Sequence, residues 1–325
     1  MPANLPPQYY EAEKNYRQAQ SPAEKIVALE TMLAIMPKHK GTDKLRADLR
    51  RRISQLKEES LKKSVGKRGQ LFDLDKGGAG QVVLVGFPNV GKSQLVGSLT
   101  QAKPEVGEYP YSTHSPVPGM MEYKDIKIQL VDIPSILDES ARGWLVNIVR
   151  NADALLLIVD LIDDPETQVE ILLEELEKYK VKSEWLVAPE EGVVFLGKKM
   201  MIVGNKLDSE GAKKNFIQLQ EKLSSFPSIA VSAAHGENLE NLRDDIFQLL
   251  TIIRAYTKTP GREPDLKHPV ILKEGSTVLD FAAAIHKDFV EKFQYARIWG
   301  SEKYKGQRVQ RDHLLEDGDI IELHI

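Results

Sequence analysis

Residues 81–96 read QVVLVGFPNVGKSQLV, and this stretch decides the fold. An apolar run typical of a buried strand comes first, followed by a glycine-containing turn and a segment with a helical pattern. The turn, GFPNVGKS at 86–93, has the spacing of a P-loop. In such a loop successive main-chain N–H groups point at a phosphate, and the glycines let the backbone approach it closely. A chance turn is the ordinary alternative, but strand, full spacing and helix coincide here.

The side chains of this loop have separate expected roles. Lys92 is expected to neutralise the β- and γ-phosphates, and Ser93 is expected to offer its hydroxyl to Mg²⁺. The helix that follows directs its positive end at the same anion. The predicted nucleotide contacts in the loop are Gly86, Pro88, Asn89, Val90, Gly91, Lys92, Ser93 and Gln94.

A second motif, NKLD at 205–208, ends another apolar strand. An aspartate there can accept from guanine N1–H and the 2-amino group together, a donor pair that adenine lacks, so Asp208 favours GTP over ATP. Asn205 and Lys206 would brace the loop and stack on the base. VSA at 231–233 follows one strand later, where a main-chain N–H is needed for guanine O6. The predicted guanine contacts are Asn205, Lys206, Asp208, Ser232 and Ala233.

Two further residues are predicted to serve the metal ion. Asp132 ends the strand-like segment 126–132 and is placed to hold Mg²⁺ through water. Thr113 offers a second hydroxyl from EYPYSTHSPVPG at 108–119, whose prolines and polar residues suit a mobile switch segment. The predicted metal ligands are Ser93, Thr113 and Asp132, and the predicted catalytic residues are Lys92, Thr113 and Asn89.

Short apolar strands alternate with helical segments around these motifs. Strands are predicted at 82–86, 126–132, 155–160, 199–204 and 229–233, and helices at 165–180, 212–225 and 238–255. Strands that are apolar on both faces indicate a mainly parallel sheet with helices on both sides, which is an α/β fold. The segment 126–132 alternates more openly and is expected nearer an edge.

The chain divides into regions by pattern. Residues 1–75 carry capping signals and apolar residues at helical spacing, and are predicted to be helical. The motifs above lie in 76–256. A linker rich in proline, glycine and charge follows at 257–268. Residues 269–325, with strand-like ends and a helix predicted at 277–292, form a small α+β unit.

Composition narrows the possible functions. The chain of 325 residues has 42 % hydrophobic and 28 % charged residues, as soluble globular proteins do. A formal net charge of −4 selects no polyanionic partner. The absence of cysteine excludes disulfides and thiolate metal sites and suits a reducing cytosol, so we expect a cytoplasmic location. The apolar run 154–162 is too short to cross a bilayer, and no membrane partner is expected.

Together these motifs resemble the Obg and developmentally regulated GTP-binding (Drg) branch of P-loop GTPases. The stretches that carry the resemblance are KGTDKLRADLRRRISQLKEE at 40–59, KGGAGQVVLVGFPNVGKS at 76–93, EYPYST at 108–113, IIRAYTKTPGREPD at 252–265 and HPVILKEGSTVLDFAAAIHKDFVEKFQYARIWG at 268–300. The resemblance implies an N-terminal helical arm, a Ras-like P-loop GTPase domain that binds GTP and GDP, and a β-grasp-like TGS domain. It also implies that Thr113 is the metal-binding threonine of the first switch.

This chain departs from the Drg pattern in two places. Residues 140–200 are too short for the inserted domain that follows the second switch in that branch, although 183–197 could be a remnant. Ser135 stands where the branch has a glycine whose N–H reaches the γ-phosphate. Serine keeps the N–H but brings a Cβ and a narrower range of backbone angles. Either coupling between the γ-phosphate and the switch is weakened, or a slightly shifted loop absorbs the change.

The catalytic water has no evident side-chain partner in the sequence. Ile136 lies close to where Ras-type enzymes have a water-orienting glutamine, so slow intrinsic hydrolysis is expected. Asn89 matches an asparagine that holds K⁺ in potassium-activated relatives, and a K⁺ there could supply charge to the phosphates. The alternative is that Asn89 only stabilises the turn of the loop.

Local basic surfaces suggest a partner. Residues 44–68 are rich in lysine and arginine, and 287–311 combine basic residues with Tyr295, Trp299 and Tyr304. Such surfaces can contact phosphates and stack on bases, and TGS domains are thought to engage RNA or regulatory partners, although a solvated helix face is equally compatible. The leading hypothesis is a GTP-hydrolysing switch that senses the ribosome or structured RNA. The alternatives are a nucleotide-stabilised adaptor with little hydrolysis, and an adaptor whose helical arm recruits a stabilising protein.

Overall fold

The computed structural model describes residues 28, 29, 31, 32, 49, 52, 74–100, 115–138, 141–185, 194–301 and 304–325. The chain forms two compact units, Met1–Asp73 and Leu74–Ile325. In the first unit Leu29 and Leu49 are helical and buried, as their spacing predicts. Most of the basic arm at 44–68, and Thr113, lie outside the described residues.

The second unit begins with a seven-stranded sheet. Its strands are β1 (Gln81–Gly86), β2 (Val117–Tyr123), β3 (Ile126–Asp132), β4 (Ala154–Asp160), β5 (Val181–Ser183), β6 (Leu196–Asn205) and β7 (Ser228–Ala230). Its helices are α1 (Lys92–Thr100), α2 (Arg142–Asn151), α3 (Pro165–Lys178), α4 (Ala212–Lys222) and α5 (Leu239–Leu250).

The order of this sheet is β2-β3-β1-β4-β6-β5, with β7 paired to β6. All of these pairs are parallel except the antiparallel pair of β2 and β3. Every residue of β1 is buried, because alternate side chains face opposite covered sides of the sheet. This confirms the predicted α/β fold, and it brings the carboxyl ends of β1, β3, β4 and β6 to one edge.

The helix predicted at 238–255 is too long. Helix α5 ends at Leu250, Thr251 takes a left-handed conformation with φ 46°, and Ile252–Thr257 form strand β8. Ile253 and Ala255 point into a second core, and this alternation of period two places the segment in a sheet. The second sheet therefore starts before the predicted linker, and its next strand, β9 (Asp265–Lys273), starts within it.

The second sheet has the order β11-β10-β12-β8-β9. Its remaining strands are β10 (Tyr295–Trp299), β11 (Gln307–Val309) and β12 (Ile320–His324). The helix predicted at 277–292 is two helices, α6 (Val278–Ile285) and α7 (Lys287–Glu291), because His286 is extended with φ −167°. Val278 and Phe281 of α6 are buried on one face of this sheet, with Ala296 and Ile298.

A charged cluster joins the two sheets. Arg254 of β8 pairs with Asp125 in the turn between β2 and β3, and its Nη2 lies 2.8 Å from Asp317 Oδ2. The hydroxyl of Tyr256 donates to Asp125 at 2.7 Å. The hydrogen bonds that Arg254 donates to Asp317 raise the pKa of Arg254, so the guanidinium stays charged. The turn between β2 and β3 is therefore fixed to the C-terminal sheet.

Candidate nucleotide-binding site

The P-loop connects β1 to α1. Asn89 and Gly91 have left-handed conformations, with φ 63° and 94°. Asparagine and glycine tolerate this region best, which explains their use in the turn. Val90 is buried under the loop, whereas Pro88 and Asn89 line the cleft and Gln94 is exposed on α1.

Lys92 is buried inside the loop that it closes. Its Nζ donates to the main-chain oxygens of Gly86, at 3.0 Å, and Phe87, at 2.8 Å. Burial lowers the pKa of Lys92, and the nearby charge of Asp132 partly opposes this effect. A bound phosphate would add the counter-charge that a buried ammonium lacks.

Asp132 and Ser93 meet at the carboxyl end of β3. The Ser93 hydroxyl donates to Oδ2 of Asp132, and Oδ1 of Asp132 is buried without a hydrogen-bond partner among the described residues. Burial raises the pKa of Asp132, against the opposing effects of Ser93 and Lys92. A hydroxyl beside a carboxylate oxygen with unused capacity fits Mg²⁺, which prefers oxygen ligands and keeps several waters.

Asn205 connects the NKLD motif to the P-loop. Its Nδ2 donates to the carbonyl of Val90 at 2.8 Å, and its Oδ1 accepts from the N–H of Ala233 at 3.0 Å. One buried side chain therefore holds the P-loop and the VSA segment in a fixed relation. This supports the bracing role predicted for Asn205.

Asp208 follows β6 at the same carboxyl-end edge of the sheet, beside Ser232 and His235. The Ser232 hydroxyl donates to its Oδ1 at 2.5 Å, and His235 Nδ1 lies 3.5 Å from its Oδ2. The bond from Ser232 is the main cause of the lowered pKa of Asp208, so this carboxylate is ionised at neutral pH. Lys206, with φ 66°, forms an ion pair with Asp160 at the end of β4.

A cleft of about 690 Å³ lies beside the P-loop. Lys92, Ser93, Asp132 and Ser135 are among its lining residues. Ser135 does not adopt a positive φ, so serine carries no left-handed strain there. The structure therefore brings together the predicted P-loop and strand-end residues, while the predicted ligand Thr113 falls outside the described ranges.

The comparisons with known proteins agree with this geometry. Residues 81–194 match the family model of the 50S ribosome-binding GTPase, and residues 253–325 match that of the TGS domain. An uncharacterized GTP-binding protein of Methanocaldococcus jannaschii is 33 % identical over 363 aligned positions, which cover 93 % of this chain and 92 % of the relative. The developmentally-regulated GTP-binding protein 2 homolog of Dictyostelium discoideum is 30 % identical, over 92 % of this chain and 98 % of its own. The chain belongs to the developmentally regulated GTP-binding protein family.

As a member of this family the chain is a GTP-binding protein with a P-loop GTPase domain and a TGS domain, which confirms the resemblance found in the sequence. The solved YchF GTPase of Schizosaccharomyces pombe, at 15 % identity, shares the fold with a TM-score of 0.54 over 76 % of this chain and 98 % of that one. The alignment with the M. jannaschii relative spans 363 positions, more than the 325 residues here, so this family member lacks segments of its relative.

Sequence reasoning missed two residues near the guanine side of the site. Asp160 pairs with Lys206, and its position at the end of the apolar strand ALLLIVD was an available signal. His235 contacts Ser232 and Asp208, but a lone histidine after VSA gives no sequence signal. Within the described residues, we find no helix with the length and apolar character that a bilayer crossing requires.

Proposed function

We propose that this chain is a guanine-nucleotide switch that hydrolyses GTP slowly to GDP and phosphate, and that it acts in the cytoplasm on the ribosome or on structured RNA. The observation that carries the proposal is that Lys92, Ser93, Asp132 and Asp208 all lie at or just after the carboxyl ends of parallel strands in one sheet, β1, β3 and β6. Nucleotides bind at this edge in open α/β sheets.

Guanine selection is assigned to Asp208. The Ser232 hydroxyl orients this carboxylate, and its lowered pKa keeps it an acceptor at neutral pH. The main-chain N–H of Ala233 already donates to Asn205 Oδ1 at 3.0 Å, so in this structure it is occupied and does not offer the guanine O6 contact that the sequence predicted. Replacing Asp208→Asn should relax the preference for GTP over ATP in competition binding, with Asp163→Asn as an exposed control.

Mg²⁺ is assigned to Ser93 and Asp132, with Thr113 as a third proposed ligand. The buried Oδ1 of Asp132, which lacks a hydrogen-bond partner among the described residues, supports this. When bound, the ion would neutralise charge on the phosphates. Lys92 would bind the same phosphates, and the N–H groups of the loop would orient them for in-line attack by water.

Slow hydrolysis is supported by the two apolar residues that follow Ser135 in the second switch. Ile136 is 2 % exposed, and the neighbouring Leu137 lines the cleft with an apolar side chain. Neither can orient a water molecule by hydrogen bonding.

Asn89 has two proposed roles, which are to stabilise the turn of the P-loop and to hold a K⁺ ion beside the phosphates. Its left-handed conformation favours the role in the turn, and single-turnover hydrolysis in K⁺ and in Na⁺ tests the role in holding a cation. Equal rates would exclude the cation role.

A phosphate-binding role for the TGS domain is supported by like charges on one sheet face. Arg297 and Arg308 are exposed and directly opposite each other on β10 and β11. Like charges directly opposite each other destabilise strand pairing, and a bound phosphate would reduce this repulsion, although Arg297 also lies opposite Glu322 on β12. The Arg308 guanidinium lies 3.9 Å from the Tyr295 ring, whose centroid is 4.3 Å from that of His324. Tyr295 therefore has stacked neighbours already, and we assign phosphate binding rather than base stacking to this part of the face.

The second candidate is an adaptor that binds nucleotide with little hydrolysis and recruits RNA or a stabilising protein. The observation that favours it is Ser135 itself, which stands where the Drg pattern has a glycine and lines the cleft beside the P-loop. Turnover with and without ribosomes, with Lys92→Ala as the inactive control, separates the two candidates.

Calorimetry with GDP and GTP in Mg²⁺ tests the whole proposal, because failure to bind either nucleotide would overturn it. Nucleotide-dependent cosedimentation tests the ribosome. For RNA, the double variant Arg297→Gln, Arg308→Gln should reduce the slope of log K against log salt by about two, at about one per phosphate contact. The matched control is Lys287→Gln, Lys292→Gln, which alters the same domain outside the strands.

A further inference from the structure

The second switch is held by a tyrosine that lies in none of the nucleotide-binding motifs. The hydroxyl of Tyr179 donates to the main-chain oxygen of Ile136 at 3.2 Å. Tyr179 is 2 % exposed and follows the last residue of α3. Burial raises the pKa of Tyr179, so its hydroxyl stays protonated and remains a donor at neutral pH.

Tyr179 is itself fixed by the helix that follows the second switch. Arg150 near the end of α2 donates to the main-chain oxygen of Tyr179 at 3.0 Å. The Arg142 guanidinium, at the start of α2, lies 5.6 Å from the Tyr179 ring centroid. The tyrosine therefore contacts both ends of α2 and the loop that precedes it.

The residues around Ile136 form a closed turn beside the P-loop. Asp138 N donates to the main-chain oxygen of Ser135 at 2.9 Å, and Leu137 N approaches the Ser135 hydroxyl at 3.4 Å. Ser135, Leu137 and Asp138 line the same cleft as Lys92. With Ile136 buried and its carbonyl bonded, the turn that carries the Ser135 N–H is held against the wall of the cleft that Lys92 also lines.

We propose that Tyr179 is a positioning residue for the γ-phosphate: its hydrogen bond to Ile136 holds the Ser135–Asp138 turn where the main-chain N–H of Ser135 meets the third phosphate of GTP. This inference rests on the proposed function. It assigns discrimination between GTP and GDP to a residue 43 positions away from the loop that it holds. Serine is compatible with this turn, since Ser135 takes no left-handed conformation.

The test is Tyr179→Phe, which removes one hydroxyl and keeps the ring under Arg142. Affinities for GDP and for a non-hydrolysable GTP analogue are measured by calorimetry in Mg²⁺, together with kcat and KM for GTP. The analogue should bind about 2- to 10-fold more weakly, the effect of one hydrogen bond, while the affinity for GDP stays unchanged. The kcat should fall with the affinity for the analogue, because the same N–H contacts the reacting phosphate.

Tyr256→Phe is the matched control, because it removes the hydroxyl of another buried tyrosine, bonded to Asp125 and away from the cleft. It should leave the ratio of the two affinities unchanged. An unchanged ratio in Tyr179→Phe would overturn the inference, and so would equal weakening of GDP and the analogue.

If Tyr179→Phe lowers Tm so far that binding cannot be measured, Ser135→Pro is used instead. Proline removes the N–H of Ser135 itself, and it should weaken the analogue selectively; an unchanged ratio there also overturns the inference. If the wild-type chain binds neither nucleotide, the proposed function fails first. If the wild type binds both and the variants keep its ratio, only the inference fails.

Discussion

A Cβ on Gly91 would lie 2.3 Å from the side-chain nitrogen of Asn205. The P-loop and the NKLD motif are therefore in contact through the smallest residue of one and a buried amide of the other. Because Gly91 also has φ 94°, two independent constraints exclude a side chain at this position.

We expect Gly91→Ala to destabilise the fold by about 2 kcal/mol or more, from left-handed strain and displacement of Asn205. Nucleotide binding should be lost with it. Gly97→Ala is the control, because nothing lies within 4 Å of a Cβ at Gly97 on α1. That control should stabilise the helix by about 0.5–1 kcal/mol in urea unfolding. Equal stability of the two variants would contradict the constraint.

Comparing two asparagine variants should show whether the amide of Asn205 supports nucleotide binding in addition to the stability of the fold. Asn205→Ala loses buried bonds to Val90 and Ala233, and should lower the free energy of unfolding by about 2–3 kcal/mol. Asn215→Ala removes a similar bond, to the carbonyl of Leu161 at 2.7 Å, away from the P-loop. We expect weakened GDP binding only in the first variant, measured by calorimetry; similar affinities would show that Asn205 does not brace the loop.

The charged cluster at Arg254 should contribute strongly to the free energy of unfolding, because Arg254 neutralises two carboxylates, those of Asp125 and Asp317. The side chain of Arg254 is 9 % exposed, so Arg254→Met leaves two partly buried carboxylates without a cation. We expect a loss of about 3–5 kcal/mol in denaturant unfolding. Adding Asp317→Asn to that variant should recover part of the loss, because it removes one unpaired charge. A double variant less stable than the single one would contradict this account.

The raised pKa of Tyr256 predicts that the folded protein loses stability at high pH. Burial, followed by the hydrogen bond to Asp125, raises its pKa from 10.0 to about 12. The folded state therefore holds the phenolic proton more tightly than the unfolded state, so the associated stability is complete below pH 10 and is lost as the pH rises towards 12. Tyr256→Phe should flatten the fall in unfolding free energy over this range. An unchanged slope in a pH series of urea unfolding would count against the assigned bond.

Asp317, one of the acidic partners of Arg254, should affect the stability of the fold at low pH. Burial alone would raise the pKa of Asp317, but hydrogen bonds and charge from Arg254 outweigh it and the net pKa is lowered from 3.8. The stability contributed by the ion pair of Asp317 and Arg254 is therefore present above pH 3.8 and is lost as the pH falls below this value. Asp317→Asn should remove part of the acid sensitivity, measured by circular dichroism from neutral to acidic pH.

The P-loop, the NKLD motif and the parallel sheet were predictable from the sequence, because each is encoded by residues within a few positions of one another. A strand, a glycine-containing turn and a helix follow in order, so local spacing alone indicates a phosphate site at 86–93. The first four residues of strand β8 were predicted as helix, because two alternating core residues directly after a helix are too few to reveal a change of period in the sequence.

Only the tertiary structure decided which distant residues meet. Asn205 reaches Val90 across 115 positions, Arg254 reaches Asp125 across 129, and Tyr179 reaches Ile136 across 43. Such contacts depend on strand order and on the directions of buried side chains, which a linear pattern does not record. The sequence by itself therefore determined the family, the nucleotide class and the strand-end residues of the site. The contacts that brace the P-loop, hold the second switch and join the two sheets arise only when the folded chain brings these segments together.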